Sequence, residues 1–307
     1  MKAQEVKGWR YRDDWLYELK KQGARCIAIL DGGTELYSSS GNNITFKFPE
    51  LQELHKQARH PCILDGEITS VGAKDCKNRI HKEKLLDIRI ASKNFPANYH
   101  VFDILTLKGI PTLKNPQMER KEMLSSSFID DEHAQILPFQ IGDGEALFKA
   151  SAEDEQEGIM AKSPTAIYVP GWRGNSWIKL KNFQWGSFYI LGLTAGENAR
   201  EGSFGSLMLG EMRGDTLVYV GNVGTGFNER QLGDVLQLMR DAKVDAAPAR
   251  ADPGKPVLFW TKPIYKARIR YLEYGSEGKL SIPSFRGIDG AEAEQERTKH
   301  GSTQSLM

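Results

Sequence analysis

The sequence predicts an α+β chain of two domains, a mixed sheet-and-helix domain over residues 1–183 and a small closed β-barrel over residues 184–290. Three observations carry this. The first two-thirds alternates strand-length apolar runs with helical patterns. After residue 183 the texture changes to short strands separated by Gly or charged turns, with one helical stretch among them. The last segment, GAEAEQERTKHGSTQSLM, is polar and without apolar period, so residues 291–307 are expected to form a flexible tail.

In the first domain, residues 15–20 (WLYELK) and 25–30 (RCIAIL) read as strands around a turn at Gln22-Gly23, and Asp31-Gly32-Gly33 turns the chain again. Pro49 opens a predicted helix over 49–59, with Leu51 and Leu54 on one face. Residues 62–71 read as a strand interrupted by Asp65-Gly66, 81–93 as a helix, 99–107 as a strand, and 116–126 and 145–155 as helices. Two short strands follow, 158–162 and 176–181, around a Gly/Pro-rich loop. In the second domain the strands are FYILGLTAG, GSLMLGEMRG, TLVYVGNVG, PVLFWTK and ARIRYLEY, and the helix covers 228–242. Several short strands and one helix over this length suggest a barrel of the oligonucleotide-binding (OB) type.

Composition bounds the function only loosely. A hydrophobic share of 40% and a charged share of 26% fit a globular protein with a core. No run approaches the ~20 apolar residues of a membrane helix, and the first residues have no apolar core of a secretory signal. Cys26, Cys62 and Cys76 are too few and scattered for a disulfide framework or a zinc site, and read as buried small hydrophobes. A reducing cytoplasm fits. A net charge of +1 neither requires nor excludes a nucleic-acid partner.

The chemistry lies in five segments that occur in one order: ELKKQGAR (18–25), LDGEI (64–68), HVFDIL (100–105), EGIMAK (157–162) and SWIKLK (176–181). Alone, each has an ordinary reading as a solvated lysine, a turn or a guarded edge strand. Together, ahead of a barrel-like domain, they resemble the nucleotidyltransferase motifs of ATP-dependent DNA ligases, and more loosely those of RNA ligases and mRNA capping enzymes. The resemblance spans about residues 10 to 290 and is nearest to the ligase modules of bacterial and archaeal end-joining systems. FPEL at 48–51, YVPGWRGNSWIKLK at 168–181, and the GSLMLGE and VGTGF strings support that placement.

The resemblance implies an ATP-grasp-like nucleotidyltransferase domain of antiparallel sheets with helices, followed by an OB-fold domain. It implies that Lys20 attacks the α-phosphorus of ATP and carries AMP. A lysine in this role must be neutral, and lowering its pKa from about 10.4 to near 7 takes about 4 kcal/mol, supplied by burial and neighbouring cations. Lys179 and Lys181 are the implied catalytic cations, Lys162 a further cation on the nucleotide. Glu18, Arg25, Phe102 and Glu157 would complete the nucleotide site, Phe102 offering a flat face to adenine and Arg25 meeting either the ribose or a DNA 5′-phosphate. Glu67 and Glu157 would hold Mg²⁺ (or Mn²⁺) through hard oxygen contacts. Implied partners are nicked or broken duplex DNA and a Ku-type end-binding protein or end-joining polymerase. A monomer at the prokaryotic nucleoid is expected, with no membrane association.

The chain departs from the family pattern at three places. The usual Lys-x-Asp-Gly-x-Arg reads Lys20-Lys21-Gln22-Gly23-Ala24-Arg25, with Lys21 expected on the opposite face if the strand continues. The usual Ser-Arg-x-Gly reads Ser38-Ser39-Ser40-Gly41. The C-terminal motif reads Phe285-Arg286-Gly287-Ile288-Asp289-Gly290, without the second arginine and the lysine that orient pyrophosphate in the family, and Lys299 lies too far along the tail to replace them. Two readings stay open, a divergent active ligase and an attenuated form that seals pre-adenylated ends or only binds. Retention of Lys20, Glu67, Lys162, Lys179 and Lys181 together favours the first. The alternatives by class are a capping-type or RNA-ligase nucleotidyltransferase and a non-catalytic nucleic-acid-binding protein.

Overall fold

The computed structural model describes residues 1–6, 8–70, 73–275 and 277–289, without the side chains of residues 73–75, 77 and 199. The tail expected over 291–307, with Lys299, lies outside the described residues, as does Gly290. The chain divides into two compact units, Met1–Asn182 and Phe183–Met307.

The first unit runs β1 (Lys2–Glu5), β2 (Leu16–Leu19), β3 (Ala24–Leu30), β4 (Thr34–Ser38), β5 (Cys62–Ser70), α1 (Ala73–Ile80), α2 (Leu85–Asn94), β6 (Ala97–Leu107), β7 (Ile110–Pro111), α3 (Gln117–Ser127), β8 (Ala134–Ile136), β9 (Phe139–Ile141), α4 (Gly144–Glu153), β10 (Gly158–Lys162) and β11 (Arg173–Lys181). These strands form two sheets. One has the order β4-β3-β5-β6-β7 with β8 parallel to β6, the other β1-β11-β10-β2-β9. Strict alternation along β3 sends Ala24, Cys26, Ala28 and Leu30 into the main core, where Leu64, Ile68, Tyr99 and Val101 join them. Arg25, Glu67 and Phe102 alternate with these and leave the sheet on its other face, which lines the candidate site.

Two helical expectations are revised. The helix expected over 49–59 is a series of 3₁₀ turns at Thr45–Lys47, Pro49–Leu51 and Leu54–Gln57. Phe48, Leu51 and Leu54 are all buried and spaced three apart, the repeat of a 3₁₀ turn rather than of an α-helix. The Glu50 carboxylate meanwhile serves distant groups: it accepts from the backbone N of Ala97 (2.8 Å) and Ser92 Oγ (3.0 Å), and pairs with buried Arg79. The helix expected over 81–93 is present but starts later, as α2 from Leu85. Lys84 is extended (φ −83°, ψ 127°) and separates α2 from α1. Strand β1 is polar and pairs in parallel with β11, so it carried no alternation to read.

The second unit comprises β12 (Gln184–Ala195), β13 (Phe204–Arg213), β14 (Thr216–Val223), α5 (Glu229–Asp241), β15 (Lys243–Val244), β16 (Val257–Thr261), β17 (Lys266–Tyr271) and β18 (Ser284–Ile288). The order is β14-β13-β12-β16-β15, with β17 pairing β12 and β18. Backbone bonds from Leu280 N to Val220 O (2.8 Å) and from Phe285 N to Thr225 O (2.9 Å) bring the β18 side back to β14, closing the OB-type barrel. Its core includes Phe204, Leu207, Val220, Ile269 and Phe285, against which α5 packs Val235 and Met239. A capping box between Asn228 and Gln231 starts that helix. Among the described residues no helix is long and apolar enough to cross a membrane. Cys26, Cys62 and Cys76 are free and buried, as expected.

Candidate active site

The register of β2, β10 and β11 explains why charged residues recur at every second position in the motifs. Leu16, Lys162 and Trp177 lie in one row across the three strands, and Glu18, Met160 and Lys179 in the next. In the third, Gly158 pairs with Lys181 while the backbone N of Lys20, one residue past β2, donates to Gly158 O at 2.9 Å. Side chains two apart on a strand share a face. Lys20, Glu18, Lys162, Lys179 and Lys181 therefore belong to one face of the sheet. Gly158 has φ +134°, and a Cβ there would meet Leu180 O at 2.0 Å, so this crossing requires glycine.

That face and the outer face of β3, β5 and β6 line a cavity of about 160 Å³. Its walls include Glu18, Lys20, Arg25, Glu67, Phe102, Lys162, Trp177 and Lys179. Lys21 lines it and also a neighbouring cavity beside His100 and Phe139; β2 ends at Leu19, so the condition for an opposite orientation, a strand that continues, is not met. The turn after it closes tightly on β5: a Cβ on Gly23 would meet Ile68 O at 2.0 Å.

Two carboxylates organise the cations. Glu157 accepts from Lys20 Nζ at 2.6 Å and pairs with Lys181 Nζ at 3.0 Å, linking the ends of the two strands that flank β10. Glu18 is 1% exposed and lies between Lys162 Nζ at 2.6 Å and Lys121 Nζ of α3. Burial alone would raise the Glu18 pKa, but Lys121 and then Lys162 outweigh it and hold the carboxyl below its usual value. Lys162 stands 4.6 Å from the Phe102 ring centroid and 4.4 Å from that of Trp177. Burial lowers the Lys162 pKa despite Glu18. Burial, then Lys181, also lower that of Lys179.

Arg25 is held in place by a bidentate pair with Asp65, Nε to Oδ1 at 2.9 Å and Nη2 to Oδ2 at 2.6 Å, and donates to Tyr168 Oη at 3.0 Å. It lines both this cavity and a neighbouring one of about 590 Å³ that includes Ser38, Ser39 and Gly41, the altered second motif. Glu67 reaches the cavity wall and Glu157 is tied to lysines. Among the described residues no group of three or more His, Cys, Asp or Glu could hold a metal ion alone. This donor set fits Mg²⁺, which uses one or two carboxylates and completes its shell with substrate phosphates. Arg286 and Asp289 belong to the second unit. Arg286 is exposed on β18, and the Asp289 backbone N donates to Lys266 O at 2.8 Å.

Sequence reasoning did not single out Lys121, Asp65, Tyr168 or Trp177 as site residues. Asp65 and Trp177 sat inside quoted motifs. Lys121 is one charge in a helix rich in them, and nothing local marks it as buried.

Residues 1–181 match the family model described as ATP dependent DNA ligase domain, and residues 200–289 that described as ATP dependent DNA ligase C terminal region. The multifunctional non-homologous end joining DNA repair protein LigD of Mycobacterium tuberculosis is 30% identical over 284 residues, covering 89% of this chain and 36% of that protein. A DNA ligase of Methanothrix thermoacetophila is 30% identical over 285 residues, covering 88% of this chain and 51% of that protein. The chain thus spans between 36% and 51% of the length of these relatives. The crystal structure of the ligase domain from M. tuberculosis LigD superposes with a TM-score of 0.51 at 27% identity, covering 94% of this chain and 92% of that one. A mycobacterial DNA ligase D complexed with ATP and MES gives the same TM-score of 0.51 and 27% identity.

Proposed function

Because the chain belongs to the ATP-dependent DNA ligase family, we propose that it seals nicks or broken ends in duplex DNA through an AMP adduct on Lys20. The observation that carries this is the grouping of Lys20, Lys179 and Lys181 on one sheet face, with Glu157 paired to Lys20 and Lys181, beside a cavity walled by Phe102, Trp177 and the Glu18–Lys162 pair.

In the first step Lys20 Nζ, as the free amine, forms a bond to the ATP α-phosphorus, loses its proton, and pyrophosphate leaves. Glu157 orients Nζ for this attack. Lys179 and Lys181 offset charge on the α-phosphate and the leaving group. Phe102 packs on the adenine, and Glu18 and Lys162 address its polar edge. Glu67 and Glu157 would hold Mg²⁺ (or Mn²⁺), which when bound neutralises phosphate charge. In the second step AMP passes from Lys20 to a DNA 5′-phosphate oxygen, which makes a pyrophosphate linkage. Arg25, fixed by Asp65, is the guanidinium that positions the ribose or that phosphate. In the third step a 3′-hydroxyl attacks the 5′-phosphorus and AMP leaves. The barrel unit acts as DNA clamp.

The likeness to LigD, a non-homologous end joining DNA repair protein, supports joining of double-strand breaks; we further propose a monomer at the nucleoid, with a Ku-type protein or an end-joining polymerase holding the ends. A second reading, sealing of pre-adenylated ends only, is favoured by Gln22, Ser39 and the Ile288-Asp289 sequence. The test is sealing of a labelled nicked duplex with ATP and Mg²⁺, beside the same nick already carrying AMP and beside blunt ends with and without the partner. Sealing of both nicks supports the main reading. Sealing of the pre-adenylated nick alone selects the second, and labelling of the protein by GTP rather than ATP would point to a capping-type enzyme. No stimulation by the partner removes the break-repair assignment.

A further inference from the structure

Glu18 is shared by two lysines that differ in one respect. Lys162 and Glu18 both line the cavity, whereas Lys121 does not: it reaches Glu18 Oε1 from α3, with its ammonium 5.1 Å from the Phe139 ring centroid. Side-chain exposure is 1% for Glu18 and for Lys121 and 2% for Lys162. Two ammonium groups thus face one carboxylate with almost no solvent. For holding Glu18 alone one lysine suffices, and the second leaves an excess positive charge that burial makes unfavourable. The surplus is useful when a bound molecule brings an acceptor. Lys162, between Phe102 and Trp177 on the cavity side, can then turn from Glu18 to that acceptor while Lys121 stays.

We propose that Lys121 is a positioning residue for base selection: it is the permanent counter-ion of Glu18, freeing Lys162 to engage the nucleotide while Glu18 remains an ionised acceptor. The proposal rests on the reading that this cavity takes ATP. An ionised carboxylate accepts from the exocyclic amino group of adenine and repels the carbonyl oxygen that guanine presents at the same edge. Without Lys121, Glu18 would face a choice. It could retain Lys162, which weakens nucleotide binding. Or it could take up a proton once Lys162 turns away, and a protonated carboxyl donates to a carbonyl oxygen. Either outcome erodes preference for ATP.

The experiment uses the full chain and its Lys121→Met and Lys121→Arg variants. It measures covalent labelling from α-labelled ATP and GTP over a range of nucleotide concentrations, with thermal denaturation alongside. Lys121→Met leaves a neutral Glu18–Lys162 pair, so its Tm should not fall. Its KM for ATP should rise about tenfold, and its GTP-to-ATP labelling ratio about tenfold. Lys121→Arg, which keeps the cation, should restore selectivity. A Lys121→Met protein with wild-type KM and wild-type ratio overturns the proposal. So does one that loses labelling and Tm together at an unchanged ratio, since that describes a structural residue only. If the wild-type chain takes label from neither nucleotide, the ATP reading itself falls and the proposal with it. Labelled wild type with an unaltered variant removes the proposal alone.

Discussion

Replacing Gly23 by alanine tests the link between the turn after the nucleophile and the chemistry. The added Cβ would lie 2.0 Å from Ile68 O and 3.2 Å from Glu67 Cγ. Non-bonded contacts settle near 3.5–4.0 Å, so the turn and β5 must separate by roughly 1 Å or more. Overpacking of this kind costs about 1–3 kcal/mol. For a unit of this size that lowers Tm by about 2–12 °C. The same displacement moves Lys20 relative to Glu67 and Arg25, and a misplacement of about 1 Å slows a reaction about 100-fold. Single-turnover labelling by α-labelled ATP gives the rate, and thermal denaturation gives the stability. Gly33→Ala is the control, because nothing lies within 4 Å of its added Cβ. A Gly23→Ala protein that is labelled at the wild-type rate and melts within about 1 °C of wild type would refute the reasoning.

Glu157→Gln removes the charge shared by Lys20 and Lys181 and should slow adenylation about 100-fold; an unchanged single-turnover rate would count against its orienting role. Acid stability depends on His100, whose pKa is lowered to about 4 by burial and then by Lys21. The unfolded imidazole titrates near 6.5, so between the two values only the unfolded chain takes up the proton, and stability falls as pH drops from about 6.5 to 4. After allowance for partial solvent screening the loss is about 1–2 kcal/mol. Urea titrations across that range should show it in wild type and not in His100→Gln. Chelation with EDTA should abolish labelling from ATP yet shift Tm by less than about 1 °C, because the metal shell is completed by phosphates. A large Tm loss on chelation would indicate a resident structural ion.

The fold was legible where periodicity was strong. Strand β3 alternates strictly, β5 and β6 carry apolar runs despite the register shifts at Ile63/Leu64 and Asp65/Gly66, and the barrel strands are cut by Gly-containing turns. It was illegible where burial used other repeats: Phe48, Leu51 and Leu54 at a spacing of three mimic a helix seam, and β1 is a polar strand recruited by the edge of β11. The site followed the same division. Glu18, Lys20, Arg25, Glu67, Phe102, Lys162 and Lys179 were named from ordered motifs and all line one cavity. Glu157 and Lys181 join them through ion pairs to each other and to Lys20. What sequence could not give is the pairing: that Glu157 binds two lysines, that Asp65 commits Arg25, or that Lys121 arrives from a distant helix. Such partners come from tertiary contacts among residues 40 or more apart for Arg25 and Asp65, which no local pattern encodes.

The central claim is that Lys20 accepts AMP. Its most direct test is incubation with α-labelled ATP and Mg²⁺, proteolysis, and mapping of the labelled peptide by mass spectrometry, with Lys20→Ala run beside wild type. The account predicts an acid-labile AMP adduct on Lys20 in the wild-type chain and none in the variant. Label on another residue, or label that survives Lys20→Ala, would contradict it.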